Sequence, residues 1–506
     1  MAEAAPIAAV DLGSNSFHLQ VARIADDQIY PLDSLRAPVR IGAGLTNDKR
    51  LDDDAQERAL ECLKHFGERL RGFDPHNVRA VGTNTLRVAK NAAAFLKKAQ
   101  SALGFPIEVV AGREEARLIY LGVARGLPSS TARRLVVDIG GGSTEFVIGR
   151  GYKPAKLESL YMGCVSYSLR FFPGGKISKA AMKDAEVAAR KEIEPIVASF
   201  GKGNRDEVFG SSGTARAIAE ICQLNGLGDG TVTPAALDAL RQSLIRAGDL
   251  NHLELEGVRS DRLPVLPGGI AIMRAALSEL KIDRMAVATG AMRQGILWDM
   301  VGRIRHHDMR DMTVSQFMSR YHVDAKQARR VAALTLQIYE QLAEGKGEET
   351  APLFLGWAAK LHEIGVSVAY SGYNRHSAYI IQNADMPGFS RSEQEQLALL
   401  VATHRRSLRR SLPQIEAASI DLRVVLALRL GALFYRSRTD VRLPEITARA
   451  KGQAFRVKLS RDWLKRNPLT VAALRDEVAE WDTVGCALEI KVLDEIQAPA
   501  ALAVAG

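Results

Sequence analysis

Two short turns in the chain bring together residue types that bind phosphate. Each turn has an aspartate, followed by glycine and by hydroxyl or amide side chains. In chain order they are Asp11, Gly13, Ser14, Asn15 and Ser16, then Asp138, Gly140, Gly141, Gly142, Ser143 and Thr144. Glycine turns leave backbone N–H groups accessible, and successive N–H groups form a concave anion site. Because Mg²⁺ prefers carboxylate and phosphate oxygens, the two turns predict a site for a phosphate group and a metal ion.

Each turn is flanked by segments that read as β-strands. After the first turn, Phe17, Leu19 and Val21 alternate with polar residues as in a half-buried strand. When the sequences of the two turns are aligned, Asp11 falls on Asp138, which indicates a duplication about one domain long. A helix does not follow the glycines, so the pattern differs from the dinucleotide-binding fingerprint. We expect two α/β lobes with a cleft between them.

The remaining patterns predict alternating helices and strands, followed by a mainly helical region. Predicted helices cover 51–72, 89–103, 178–200, 235–249 and 291–304, with nearly continuous helix over 313–435. Predicted strands cover 78–82, 107–111, 285–289, 454–459 and 486–492. The segment 208–214 predicts a strand that ends in the loop Ser211, Ser212, Gly213 and Thr214, with a helix from Ala215. That loop can bind a further phosphate at the helix N-terminus, or it can simply cap the helix.

Two adjacent glutamates begin a helix in the first lobe. Acids in the first helical turn offset the helix dipole, and Glu114 is interpreted in this way. Glu115 has Leu118 and Ile119 at its i+3 and i+4 positions, so it lies near the inward-facing stripe. Glu145 also lies among apolar residues, on a strand. An unpaired buried carboxylate is costly, so Glu145 indicates a bound cation.

Composition limits the class of protein and its partners. The chain has 506 residues, enough for about three or four domains, and a formal charge of +10 that favours nucleic acid, an acidic membrane or a polyanionic substrate. Its four scattered cysteines lack a CxxC pair, which indicates a reduced compartment without a disulfide frame or zinc site. No apolar run is long enough to span a membrane, and the N-terminus lacks signal-peptide features. We expect a cytoplasmic protein, with peripheral membrane association permitted by its charge.

A set of motifs resembles one known family. The motifs are VDLGSNSFH (10–18), GTNTLR (82–87), AGREEARLIYLGV (111–123), VVDIGGGSTEFVIG (136–149), MGCVS (162–166), FGSSGTARA (209–217) and ATGAMRQGIL (288–297). With LHEIG (361–365) and RHSAYIIQNADMPGF (375–389), they resemble the exopolyphosphatase and guanosine pentaphosphate phosphohydrolase (Ppx/GppA) family in its long bacterial form. The resemblance implies an α/β fold of two duplicated actin-like (ribonuclease H-like) lobes with a cleft, an all-helical HD-like domain and a small C-terminal α+β domain. The implied bounds are 1–125, 126–305, 306–445 and 446–506.

The resemblance also implies roles for single residues. The second of the family's paired glutamates falls on Glu115, which would orient and deprotonate the water that attacks the terminal phosphorus. Asp138 and Glu145 would bind Mg²⁺, while Asp11 either assists them or caps its own turn. Arg87 would grip a phosphate through its guanidinium group, unless it is an ordinary surface arginine. The family further implies a homodimer joined through the helical domains and stimulation by a monovalent cation such as K⁺.

The helical region resembles the HD metal-phosphohydrolase fold. Its histidines and one adjacent acid are His322, His362, Glu363, His376 and His404. A His-Glu pair stands where that fold has His-Asp, and likeness of fold does not establish a second active site. We expect these histidines to make buried helix contacts or an interface.

Four arginines, Arg405, Arg406, Arg409 and Arg410, follow in the same region. On a helix, i, i+4 spacing places like charges side by side, which is unfavourable without an anion. The cluster is either a solvated basic face or a track that guides long polyphosphate toward the cleft.

The first hypothesis is a Mg²⁺-dependent, processive exopolyphosphatase that releases orthophosphate from the end of inorganic polyphosphate. The alternative is the same chemistry at the 5′ end of guanosine pentaphosphate (pppGpp), because both substrates present a terminal phosphoanhydride. The basic charge favours the longer polyanion. An ATP-dependent sugar or acetate kinase and a non-catalytic polyphosphate sensor are further hypotheses, and the kinase is disfavoured because GSSGTAR and TGAMRQG do not match an adenosine-binding segment. Binding of a specific nucleic acid is not expected.

Overall fold

The computed structural model describes residues 5–25, 28–304 and 308–493. Contacts between residues divide the chain into two compact units. The first is Met1–Met309 with Pro387–Arg391, and the second is Arg310–Met386 with Ser392–Gly506. The expected boundary at 305/306 and the last part of the expected C-terminal domain, 494–506, lie outside the described residues. The division into four domains stays a prediction.

The first lobe of the first unit is a five-stranded mixed sheet with helices. Its elements are β1 (Ile7–Leu12), β2 (Phe17–Ala25), β3 (Gln28–Ala37), α1 (Asp53–Arg69), β4 (Val78–Gly82), α2 (Asn84–Val88), α3 (Ala92–Leu103), β5 (Ile107–Val109) and α4 (Gly112–Arg125). The strand order is β3-β2-β1-β4-β5, with β1, β2 and β3 antiparallel and β1, β4 and β5 parallel. The first glycine turn joins β1 to β2, as its flanking patterns predict.

The second lobe repeats this plan. Its elements are β6 (Arg133–Ile139), β7 (Thr144–Arg150), β8 (Lys153–Leu160), α5 (Cys164–Phe171), α6 (Lys179–Ile193), α7 (Val197–Phe200), β9 (Glu207–Ser211), α8 (Ser212–Leu224), α9 (Pro234–Ala247), α10 (Leu266–Leu280), β10 (Ala286–Val287) and α11 (Met292–Ile304). The strand order is β10-β9-β6-β7-β8, so each strand occupies the place of its counterpart in the first sheet. The shared order supports the duplication predicted from Asp11 and Asp138.

One core cluster joins the two sheets through α4 and α11. It includes Ala9 of the first sheet, Leu118 of α4, Val136 of the second sheet and Ile296 of α11, all of them fully buried. Burial of this much apolar surface is the main stabilising contribution to such a core. Within this cluster α4, which carries Glu115 in its first turn, packs against the second sheet and against α11, and α11 packs against the first sheet.

The helix α10 explains one apolar stretch of the sequence. Leu263–Leu280 is long and apolar enough by composition to cross a membrane, but 72% of that window is buried inside the protein. Its side chains belong to the core of the second lobe, where Ile270 and Met273 are fully buried. Packing within the protein therefore accounts for its composition.

The second unit consists of helices followed by a small sheet. Its elements are α12 (Met309–Arg320), α13 (Ala325–Ala343), α14 (Ala351–Leu361), α15 (Tyr373–Asn383), α16 (Arg391–Thr403), α17 (Leu412–Ala417), α18 (Leu422–Phe434), β11 (Thr447–Lys451), β12 (Ala454–Ser460), α19 (Arg461–Arg466), α20 (Pro468–Asp482) and β13 (Ala487–Leu493). Strand β12 is central, antiparallel to β11 and parallel to β13. The change from mixed patterns to helices, and the return of strands after Pro444, are confirmed.

The predicted loop at Ser211–Thr214 is wrong, because β9 ends at Ser211 and α8 begins at Ser212. The Ser212 hydroxyl accepts hydrogen bonds from the N–H groups of Thr214 and Ala215, at 3.2 and 3.3 Å. Ser212 also has a φ of 80°, an uncommon value for a residue with a side chain. This sharp change of direction replaces the loop, and one hydroxyl satisfies the first N–H groups of the helix.

The helical spacing expected for the four arginines is also wrong. The helix α16 ends at Thr403, and Arg405, Arg406, Arg409 and Arg410 lie in the irregular segment that follows. The Thr403 hydroxyl donates to the Leu400 carbonyl at 2.8 Å, and His404 Nδ1 lies 2.6 Å from the Val401 carbonyl. Side-chain donors thus satisfy the last-turn carbonyls that a continuing helix would have paired.

Candidate active site

A cavity of about 490 Å³ lies between the two lobes of the first unit. Both glycine turns line it, which confirms the predicted cleft. Predicted phosphate ligands in its lining are Gly13, Ser14, Asn15, Ser16, Gly140, Gly141, Gly142, Ser143, Ser212, Gly213 and Thr214. Predicted carboxylates in its lining are Asp11, Glu115 and Asp138. The fold therefore brings most of the predicted ligands together.

Several backbone N–H groups that point into both turns have no acceptor in the part of the chain that the structure describes. Among them are those of Ser14, Asn15, Gly141 and Gly142. A Cβ on Gly141 would lie 2.9 Å from Ser14 Cβ and 3.2 Å from the Asn15 nitrogen. Gly141 is thus required by the close approach of the two turns, and its φ is not positive. Free N–H groups brought together in this way form an anion site.

The first turn of α8 provides a third part of the lining. A Cβ on Gly213 would collide with the Arg262 guanidinium, so this glycine lets a cation approach the backbone. The Thr214 hydroxyl donates to the Ile139 carbonyl at 3.0 Å and ties α8 to the end of β6. The alternative of a helix cap is confirmed for the Ser212 hydroxyl, and phosphate binding at this turn stays a prediction.

Glu115 is held by Arg87 at the side of the cleft. Arg87 Nη1 lies 2.9 Å from Glu115 Oε2 and 2.8 Å from the Val110 carbonyl oxygen. Arg87 is buried, with 11% of its side chain exposed, so the alternative of an ordinary surface arginine is wrong. Burial disfavours the charged guanidinium, but Glu115 outweighs this effect, and the pKa of Arg87 is above its usual value. The pair fixes the orientation of the Glu115 carboxylate.

Asp138 and Glu145 face each other as partners in the antiparallel pair β6–β7. Burial raises the pKa of Asp138 to about 6 and, with repulsion from Glu115 and Asp138, raises the pKa of Glu145 well above its usual value. Burial likewise raises the pKa of Asp11 to about 7, and nearby carboxylates add to the shift. Glu145 Oε1 accepts a hydrogen bond from the Ser159 hydroxyl at 2.8 Å, whereas its Oε2 is buried and has no hydrogen-bond partner among the described residues.

The carboxylates of this site fit a divalent cation. Their pKa values are raised because like charges are buried together, and a cation would relieve both costs. Among the described residues, no group of three or more potential metal ligands is close enough to enclose an ion. Mg²⁺ commonly uses one or two carboxylates and completes its shell with water and phosphate oxygens. Asp138 and Glu145, with Asp11 nearby, suit such an open site.

Some predicted ligands lie outside the cleft lining. Thr144 is fully buried, and its hydroxyl donates to the Met162 carbonyl at 2.6 Å. Arg87 and Glu145 are also absent from the lining. Arg87 contacts Glu115, and Glu145 contacts Ser159. The histidines of the helical region and the four arginines at 405–410 belong to the second unit. The polyphosphate track stays a prediction.

Sequence reasoning missed five arginines of the cleft. They are Arg36, Arg216, Arg259, Arg262 and Arg293. Arg216 and Arg293 stand within the motifs FGSSGTARA and ATGAMRQGIL, so those motifs could have indicated them. Arg36, on β3, lies outside every motif; it lines the cleft and forms an ion pair with Asp261. Only the folded chain brings these cations together.

The comparisons with known proteins cover both units. The model of the Ppx/GppA phosphatase family matches residues 20–304, and the model of Ppx/GppA phosphatase, domain III, matches residues 309–478. This chain belongs to the Ppx/GppA phosphatase family. The resemblance inferred from the motifs is therefore confirmed, and family members hydrolyse phosphoanhydrides.

Curated members of the Ppx/GppA family match over nearly the whole chain. A guanosine-5′-triphosphate,3′-diphosphate pyrophosphatase of Vibrio vulnificus (strain YJ016) is 37% identical over 96% of this chain and 98% of its own. The protein of the same name from Vibrio atlanticus (strain LGP32) is 38% identical, with the same coverage. The solved structure of an exopolyphosphatase from Cytophaga hutchinsonii ATCC 33406 is 24% identical, has a TM-score of 0.53, and covers 58% of this chain and 97% of its own. The similarity of this structure to the lobes confirms their actin-like fold. The match to the domain III model covers the helical region and supports its assignment.

Proposed function

We propose that the protein is a processive exopolyphosphatase. It hydrolyses the terminal phosphoanhydride of inorganic polyphosphate and releases one orthophosphate in each step. The observation that carries the proposal is the cleft in which free N–H groups of both glycine turns lie with Glu115. Those N–H groups would bind the terminal phosphate, whose charge they stabilise without a side chain in the way.

In the proposed reaction, Glu115 acts as the general base. It takes a proton from water as the water oxygen bonds to the terminal phosphorus, and the bridging P–O bond breaks. The shortened chain leaves with the bridging oxygen, and the terminal group leaves as orthophosphate. Arg87 orients Glu115 through the 2.9 Å contact. Asp138 and Glu145, with Asp11, would hold Mg²⁺, which neutralises charge on the phosphate oxygens when bound.

The cleft lining favours polyphosphate over a nucleotide. Among the described residues it contains the five arginines and no Phe, Tyr or Trp side chain. Arginines suit successive phosphates, whereas a nucleobase is commonly held by an aromatic ring. The lining therefore suits a ligand made of phosphates alone.

Guanosine pentaphosphate is the second candidate. It is favoured by the relatives of 37–38% identity, which carry the name guanosine-5′-triphosphate,3′-diphosphate pyrophosphatase. Its 5′ end would meet the same N–H groups and the same base. The chemistry at the terminal phosphorus is unchanged, and only the leaving group differs.

Orthophosphate release with Mg²⁺ from long-chain polyphosphate and from guanosine pentaphosphate tests the choice. We expect a higher kcat/KM for polyphosphate. A higher kcat/KM for the nucleotide would overturn the polyphosphate assignment, while loss of both activities in Glu115→Gln would still support the shared chemistry. The homodimer, the stimulation by K⁺ and the cytoplasmic location remain predictions.

A further inference from the structure

A second cavity, of about 1180 Å³, lies within the second unit. Its lining differs from that of the cleft because it contains aromatic side chains: Tyr370, Tyr373, Phe434 and Trp463. Tyr370 is 72% exposed although it is a large aromatic residue. Its ring lies 5.9 Å from that of Tyr373, in a tilted arrangement. These two rings present an aromatic surface to the cavity.

Arginines lie beside this aromatic surface. The Arg405 guanidinium stands 4.7 Å from the centre of the Tyr373 ring, in cation–π contact. Arg406 is exposed and has a φ of 69°, in the left-handed region that non-glycine residues rarely adopt. Its side chain makes no hydrogen bond or ion pair with the described residues. Arg406 lines the cavity, so its charge is available to an anionic ligand there.

Two buried histidines give the same cavity hydrogen-bond acceptors. Nδ1 of His362 lies 2.7 Å from the Ala359 carbonyl and Nδ1 of His404 lies 2.6 Å from the Val401 carbonyl, so each Nδ1 carries a proton. Burial lowers the pKa of both histidines, so both rings are neutral and each Nε2 is an acceptor. His404 Nε2 lies 3.5 Å from the Tyr373 hydroxyl, the outer limit of a hydrogen bond.

Among the described residues, no group donates a hydrogen bond to His362 Nε2. Its side chain is 3% exposed, and its Nε2 lies 3.7 Å from Glu363 Oε1, which accepts from Arg438 at 2.8 Å. Two acceptors at this separation have no hydrogen bond between them, and a ligand N–H or O–H group could satisfy both. Inorganic polyphosphate consists of acceptors and has almost no donors at neutral pH. The cavity therefore suits a ligand that carries both phosphate and organic donor groups.

We propose that this cavity binds a nucleoside phosphate. The base would stack on Tyr370, an amino or hydroxyl group would donate to His362 and Glu363, and the phosphates would lie at Arg405 and Arg406. Stacking on an aromatic side chain stabilises a bound base by about 1–3 kcal/mol. This site is separate from the proposed catalytic cleft, and its ligand need not be hydrolysed.

Photolabelling of the full chain tests the site. The Glu115→Gln variant is labelled with 8-azido-ATP, so that the cleft does not consume the probe, and labelled peptides are identified by mass spectrometry. We expect the label in peptides that contain Tyr370 or Trp463, displaced by ATP but not by the same concentration of inorganic tripolyphosphate. Label confined to peptides of the cleft would overturn the proposal. Equal displacement by tripolyphosphate would also overturn it, since phosphate groups alone would then explain the binding.

Matched variants locate the ligand within the unit. Tyr370→Ala and Arg406→Ala should each reduce labelling at least about tenfold, as expected for the loss of a stacking or charged contact. The controls are Tyr379→Ala and Arg475→Ala, which remove exposed residues outside the cavity lining. All four positions are exposed, so thermal unfolding should be unchanged. Equal labelling of the Tyr370 and Tyr379 variants would contradict the site.

Discussion

Arg87 Nη1 contacts both Glu115 Oε2 and the Val110 carbonyl oxygen, at 2.9 and 2.8 Å. One guanidinium group thus ties the proposed catalytic carboxylate to the segment that follows β5. Both side chains are largely buried, so the contact is protected from solvent. The position of Glu115 depends on a residue outside the cleft lining.

Arg87→Ala should lower kcat for polyphosphate by roughly 100-fold, because a misplaced base loses its alignment with the attacked phosphorus. Arg87→Lys should retain part of the activity, since it keeps the charge but not the planar guanidinium group. Steady-state kinetics checks both. Arg113→Ala, at an exposed position on the same helix as Glu115, is the control and should keep its kcat. An unchanged kcat in Arg87→Ala would show that Arg87 does not position the base.

Glu115→Gln should abolish most hydrolysis while polyphosphate binding persists. The amide keeps the shape of the side chain but cannot take a proton, which costs about 10²–10⁴-fold in rate. Orthophosphate release and equilibrium binding of labelled polyphosphate measure the two effects separately. Glu57→Gln, at an exposed position of α1, is the control. Unchanged turnover would remove Glu115 from the mechanism.

Gly141→Ala should weaken phosphate binding. Its Cβ would approach Ser14 Cβ to 2.9 Å and the Asn15 nitrogen to 3.2 Å, so the two turns would have to separate. We expect a higher KM and a lower kcat, with the folded state retained by circular dichroism. Gly203→Ala is the control, because a Cβ there meets no atom within 4 Å and the φ is not positive. If both variants behave alike, the close approach of the turns does not matter for activity.

The metal-free protein should lose stability as pH rises, and Asp138 should cause part of the loss. Its pKa is about 6 in the folded state, above its unfolded value near 4, so the folded state binds the proton more tightly. Its favourable contribution is complete below pH 4 and is lost as pH rises through 6. Asp138→Asn should therefore be more stable than the wild type at pH 8, by on the order of 2–3 kcal/mol, with little difference at pH 4.

Thermal unfolding in EDTA from pH 4 to pH 8 measures the Asp138 effect. The difference in Tm between variant and wild type is the readout, and it includes the relief of Asp11 and Glu145, whose pKa values the Asp138 charge helps to raise. Added Mg²⁺ should raise the Tm of the wild type more than that of the variant. A pH-independent difference in Tm would contradict the assignment.

Glu114→Ala should destabilise the protein by roughly 3–5 kcal/mol, since it breaks a buried ion pair. Glu114 contacts Arg117 through two 2.8 Å hydrogen bonds and accepts a third from the Gly388 N–H at 2.8 Å. Urea unfolding measures the change in the free energy of unfolding. The control is Glu158→Ala, which removes a partly exposed partner of Arg113 and should cost less than about 1 kcal/mol. Equal losses in both variants would show that burial of the Glu114 pair contributes nothing extra.

The strands beside the turns were predictable because alternation and glycine position are local properties. The strand at 78–82 agrees residue for residue with β4. The end of α16 was not predictable from helical spacing, because it depends on the Thr403 and His404 side chains satisfying the last carbonyls. For Glu114, the first-turn position and the i, i+3 spacing to Arg117 are visible in the sequence, whereas the hydrogen bond from the Gly388 N–H requires a segment that is distant in the chain.

The sequence by itself determined the family, the duplicated lobes and the acids and glycines of the candidate site, because motif spacing and hydrophobic period follow from chain order. The tertiary structure decided which of them meet: Gly141 reaches Ser14 only when the lobes close on each other. It also placed Arg87 on Glu115 and gathered five arginines from separate segments around the cleft. Distances between such segments arise from packing of the shared core, which no local pattern records.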